Sequence, residues 1–246
     1  MAKRLNKMFQ FMQDRQVDAL LIKSKTMKRY IDTLTGGGCK ILFTKEKGYL
    51  ILDGRYLTEA KEKESDLEIR LLGIGQSYLE VVKEILKENC CQSLGVEMDQ
   101  ISIFEYEKLK KMDISIHLYD EEISLIRVVK DEDEIRTLKE AIEITDTIYK
   151  NVLERVHTGM NEYEISALLQ YFSISSGAQQ MSFDTIVATG ERTALPHGRP
   201  TSRCVKEHEP ILMDFGIQYK NYQSDITRIC FIGQPYDPIE IGRAHV

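Results

Sequence analysis

Before residue 126 the chain alternates short apolar runs with amphipathic stretches, and this rhythm limits its fold more than any other feature. The runs are Ala19–Ile22, Ile41–Thr44, Tyr49–Leu52, Leu67–Leu72, Leu94–Glu97 and Ile114–Tyr119. Between them, 56–64, 78–89 and 103–111 read as helices, and residues 4–16 set Leu5, Met8, Phe9 and Met12 at helical spacing. Strands alternating with helices predict an α/β domain with a largely buried sheet over residues 4–126.

From 131 onward the rhythm changes. Ile135, Leu138, Ile142, Thr145, Tyr149, Val152 and Val156 recur at three- and four-residue steps, which predicts a long helix capped by Asp131 with Glu134. His157-Thr-Gly159 breaks it, and Asn161 with Glu164 opens a second helix through about Phe172. Strands are expected at 183–189, 210–219 and 222–232. All five prolines lie between 196 and 238, marking a loop-and-hairpin region of the kind in which sites are built.

With 42% hydrophobic residues in 246, the chain can bury a sizeable core, and disorder throughout is excluded. Residues 127–246 carry 13 basic against 18 acidic side chains, an acidic half without a basic patch, which argues against nucleic acid as a partner. The five cysteines are odd in number, lack Cys-x-x-Cys spacing and include the adjacent Cys90 and Cys91, so reduced thiols are expected. The first sixteen residues are basic but have no apolar core, and no run approaches transmembrane length. A soluble, cytoplasmic protein with no membrane partner is the expectation.

The most informative stretch is Pro210–Tyr219 followed by Lys220–Ile232, two strands joined by a turn at Tyr219–Asn221. A turn centred between 219 and 220 pairs Asp214 directly with Asp225, with Cβ atoms roughly 5 Å apart on one face. Two carboxylates placed so close repel unless one is protonated or a cation lies between them. Bridging carboxylates suit a pair of metal ions about 3.5–4 Å apart, and oxygen donors favour hard ions such as Mn or Mg, with Zn and Co open. On the hairpin alone, the alternative that one aspartate is a water-exposed turn or edge residue stays open. Upstream, His197 follows Pro196 in a loop and could donate to a developing oxyanion or to a substrate carbonyl, with a simply solvated loop histidine as the alternative.

The segments Phe183–Gly190 (FDTIVATG), Ala194–Gly198 (ALPHG), Met213–Gly216 (MDFG) and Tyr222–Arg228 (YQSDITR) together resemble the creatinase/aminopeptidase P/prolidase family of metallopeptidases, family M24. VDALLI (17–22), LILDGRY (50–56), LGVE (94–97) and IRVVKDEDEI (126–135) are similar to that family's N-terminal domain and linker. The resemblance implies a creatinase-like N-terminal α/β domain over 4–126 and, over 127–240, the first half of an α+β pita-bread domain. It further implies an Xaa-Pro aminopeptidase using two divalent ions, usually Mn, on peptides with proline at the second position, and a homodimer. By the same resemblance, Asp214 matches a carboxylate that binds one metal, Asp225 one that bridges both, and His197 the histidine that supports the tetrahedral intermediate.

The family supplies a further His and two Glu beyond the hairpin, and no matching motif follows Asp225 here. The expectation is therefore an incomplete catalytic domain, inactive alone, with 241–246 (IGRAHV) a non-native tail resembling a translated sequencing adaptor. An Xaa-Pro dipeptidase and a non-catalytic binding module on the same fold are the alternatives. Metal-free hydrolysis of a C–N bond, as in creatinase, would not need the aspartate pair.

Overall fold

The computed structural model describes residues 2–63 and 65–234, so the expected tail at 241–246 lies outside the described residues. The chain divides into two compact units, the first ending at Val129 and the second starting at Lys130.

In the first unit the order is α1 (Ala2–Asp14), β1 (Ala19–Ile22), α2 (Lys25–Tyr30), β2 (Lys40–Thr44), β3 (Gly48–Leu52), α3 (Leu57–Glu62), β4 (Glu68–Leu71), α4 (Tyr78–Glu88), β5 (Ser93–Glu97), α5 (Ile103–Leu109), β6 (Ser115–Tyr119) and α6 (Glu121–Leu125). The six strands form one sheet in the order β4-β3-β2-β1-β5-β6. Only β1–β2 and β2–β3 pair antiparallel; the other three pairings are parallel. Strand side chains alternate between faces, and both faces here are apolar. Leu20, Ile22, Ile41, Phe43, Leu50 and Leu52 join α1 in one core, while Leu21, Leu42, Tyr49, Ile51, Leu94 and Val96 join α4 in another. A sheet covered twice explains why these strands read as continuous apolar runs. The sequence pattern does not reveal α2 and α6, because six- and five-residue helices are too short to show a period.

The second unit contains α7 (Glu132–Leu153), α8 (Glu162–Ser175), β7 (Gln180–Met181), β8 (Ile186–Thr189), β9 (Pro210–Phe215), β10 (Ile217–Tyr219), β11 (Tyr222–Gln223) and β12 (Ile226–Phe231). Capping boxes, Asp131 with Glu134 and Asn161 with Glu164, start the two long helices. Ile148 and Val152 of α7 and Ile165 and Leu169 of α8 pack against Ile211, Met213 and Phe215, the inner face of β9. The strand expected at 183–189 begins only at Ile186. The two long strands of the hairpin are each broken, one at Gly216 and the other at Ser224–Asp225. The outer pieces form a sheet ordered β12-β9-β8 and the inner pieces one ordered β11-β10-β7. Among the described residues no helix is long and apolar enough to cross a membrane.

Candidate metal centre

The register of the hairpin corrects the expected pairing. Tyr219 faces Tyr222, which puts the turn on Lys220–Asn221, and Thr227 rather than Asp225 lies opposite Asp214. Both turn residues take left-handed φ values, 45° and 69°, as a two-residue type I′ turn requires. Asp225 lies outside the ladder, in the break between β11 and β12, where it is exposed.

That break is built, not slack. A Cβ on Gly216 would come within 1.9 Å of the Ser224 carbonyl oxygen, so glycine permits the backbone of Ser224 to cross there. Ser224 is buried and exchanges backbone and side-chain hydrogen bonds with Ile217: Ser224 N–H to Ile217 O at 2.9 Å, and Ile217 N–H to Ser224 Oγ at 3.0 Å. Ser224 Oγ also lies 2.6 Å from Thr145 Oγ1 of α7. Thr145 directs its own proton to Ala141 O at 2.7 Å, which leaves Ser224 as the donor to Thr145. Ser182 closes the other side, donating its N–H to Gly216 O and its hydroxyl to Ser224 O, both at 2.9 Å. The sequence shows Thr145 only as a position on the helix face, and no pattern in it announces that Thr145, Ser182 and Ser224 meet. Together they fix the residue that precedes Asp225.

Asp214 projects from β9 on the face opposite the helix-packed Met213 and Phe215 and is half-buried. Its carboxyl is held above the ordinary aspartate range. Burial is the main cause, the Asp225 charge adds to it, and a hydrogen bond from Thr227 with the field of His197 opposes it. The buried Oδ1 of Asp214 has no hydrogen-bond partner among the described residues. An orphaned carboxylate oxygen near a second carboxylate is what a cation would satisfy, so Asp214 and Asp225 fit as two oxygen donors of a metal site. Among the described residues no group of three or more His, Cys, Asp or Glu side chains gathers to complete it.

His197 is exposed in the loop after a single 3-10 turn, Gly190–Ala194, and lies within electrostatic reach of Asp214. The loop returns over β8 at the buried Gly198, where a Cβ would press to 3.3 Å from Ala188 Cβ. Of the three residues singled out in the sequence, Asp225 and His197 both act electrostatically on the third, Asp214.

Residues 136–244 match the model of metallopeptidase family M24, and residues 4–129 match that of the creatinase/prolidase N-terminal domain. The chain belongs to the M24 metallopeptidase family. It is 30% identical over 241 residues to the Xaa-Pro dipeptidase of Pyrococcus furiosus, covering 96% of this chain and 66% of that one. In structure it is similar to an Xaa-Pro dipeptidase from Bacillus anthracis, with TM-score 0.88, 30% identity and coverage of 96% and 66%. It is also similar to an X-Pro aminopeptidase from Thermotoga maritima, with TM-score 0.84, 35% identity and coverage of 90% and 64%. The chain thus spans 64–66% of the length of these relatives.

Proposed function

We propose that the whole protein is an Xaa-Pro aminopeptidase that hydrolyses the bond between an N-terminal residue and a proline at the second position. The observation that carries this reading is the buried, unpartnered Asp214 Oδ1 beside Asp225 in an M24 fold. Asp214 and Asp225 would hold divalent ions, with manganese first on hard-oxygen ligation and cobalt or zinc as substitutes. Such ions supply Lewis-acid polarisation of the scissile carbonyl and a water acidic enough to attack near neutral pH.

The chain's own residues have separable tasks. The Asp214 and Asp225 charges, which act unfavourably on one another, define where positive charge is favoured. His197 would donate an imidazole N–H to the substrate oxygen as negative charge builds on it, a contact that strengthens toward the transition state. The names of the Pyrococcus furiosus and Bacillus anthracis relatives favour a second reading, Xaa-Pro dipeptidase. A cytoplasmic homodimer completes the proposal, on the unpatterned cysteines and the family resemblance.

The test is cleavage of Xaa-Pro dipeptides and of longer Xaa-Pro peptides by the whole protein supplied with Mn. Turnover of longer peptides is the expected result. Turnover of dipeptides alone would move the assignment to dipeptidase. Silence with Mn, Co and Zn alike would favour a non-catalytic binding module.

A further inference from the structure

Glu162, the first residue of α8, is fully buried, yet its carboxylate faces no catalytic group. Its oxygens accept the backbone N–H and the hydroxyl of Thr189 at 2.8 and 3.1 Å, and those of Thr201 at 2.8 and 2.7 Å. Arg192 Nε lies 3.2 Å from both oxygens, and Arg192 Nη2 reaches on to donate to Arg199 O at 2.7 Å. Although burial alone would push the carboxyl up, the bonds from Thr201 and Thr189 hold it below the usual glutamate range.

Thr189 is the last residue of β8 and Thr201 stands where the loop ends; between them lie Arg192 and His197. Ala194, Leu195, Pro196 and His197 are all exposed, so apolar burial does little to fix this segment. A buried charge is tolerated only when its partners are complete, and here every partner is the entry, the exit or an internal brace of one loop. A saturated polar network of this kind selects one conformation from many.

We propose that Glu162 is the positioning residue of the His197 loop: by clasping Thr189, Arg192 and Thr201 it sets where His197 stands with respect to Asp214. The consequence for catalysis rests on the role given to His197 above; the clasp does not. A carboxylate is needed rather than an amide. The substitution Glu162→Gln would present an NH2 group to backbone and hydroxyl donors, leaving at least one donor facing another.

The test uses the whole protein with histidine ring labelling, with His197→Ala to assign the His197 resonance in NMR spectra, a readout that requires no peptidase activity. Glu162→Gln and the milder Thr201→Val, which removes one donor and keeps the others, are compared with wild type. We expect the His197 ring resonance to shift in Thr201→Val, and further in Glu162→Gln, while His157 and His208 stay in place. Should Glu162→Gln fail to fold, Thr201→Val decides alone. A His197 resonance unmoved by Thr201→Val overturns the proposal, and so does a joint movement of all three histidines, which would mark a merely structural role. In the whole protein, Thr201→Val should lower kcat about tenfold with KM little changed, as a small misplacement of a transition-state donor does. If the whole protein is silent as a peptidase, the NMR result still stands or falls by itself.

Discussion

Asp214 faces Thr227 across the β9–β12 ladder, and Asp225 stands two residues short of that register. Asp225 precedes β12 and lies in the break after β11, so the alternation of faces along a strand does not govern its direction. Asp225 is close enough to raise the Asp214 carboxyl, but the two are not a cross-strand pair. The spacing leaves Asp225 free of the ladder and carried by the Gly216–Ser224 crossing.

That crossing should not tolerate a methyl group. Gly216→Ala would place a Cβ 1.9 Å from the Ser224 carbonyl oxygen, a backbone atom that cannot rotate away. A loss of about 4 kcal/mol or more is expected, read as a large fall in the urea midpoint. A loss below about 1 kcal/mol would mean that the two chain segments can separate cheaply.

Ser224 gives a finer probe of the same feature. Ser224→Ala removes the acceptor of the Ile217 N–H and the partner of Thr145 at 2.6 Å, at a cost of about 1–3 kcal/mol. A double-mutant cycle with Thr145→Val should show coupling of at least ~0.5 kcal/mol. Additive effects would show that the two hydroxyls act separately.

Asp214→Asn separates stability from metal binding. Without metal the wild-type protein bears the cost of a half-buried carboxylate near a second one, so the variant should unfold no earlier than wild type. On addition of Mn, wild type should gain melting temperature by mass action and the variant should not. Equal metal-induced shifts in both would remove Asp214 from the site.

Lys28 gives the first unit a pH signature. It is buried, donates to Gly36 O and Cys39 O at 3.1 Å, and burial lowers its pKa from 10.5 to about 8. The native state therefore releases this proton before the unfolded chain does, and stability attributable to Lys28 rises between about pH 8 and 10.5. Below pH 8 the burial cost is fully present. Urea melts of wild type and Lys28→Met should show the difference between them moving in favour of wild type by up to about 3 kcal/mol across that window. A difference independent of pH would contradict the depressed value.

The first unit was legible because Leu20–Ile22, Ile41–Phe43 and Leu50–Leu52 are buried on both faces, so their runs announce a sheet covered twice. The candidate centre was legible as residue types. Asp214, Asp225 and His197 could be named, but the register between the two aspartates could not be derived. It depends on Lys220 accepting φ near 45°, which nothing about lysine announces. Glu162 was hidden for another reason: its partners, Thr189, Arg192 and Thr201, are distant in sequence and brought together only by the fold.

Asp214 and Asp225 are proposed as metal ligands of one site. Mn stoichiometry and affinity in the whole protein, measured for wild type, Asp214→Asn and Asp225→Asn, test this most directly. Two bound ions in wild type are expected, with at least one lost or weakened about a hundredfold in each variant. Unchanged stoichiometry and affinity in both variants would contradict the account.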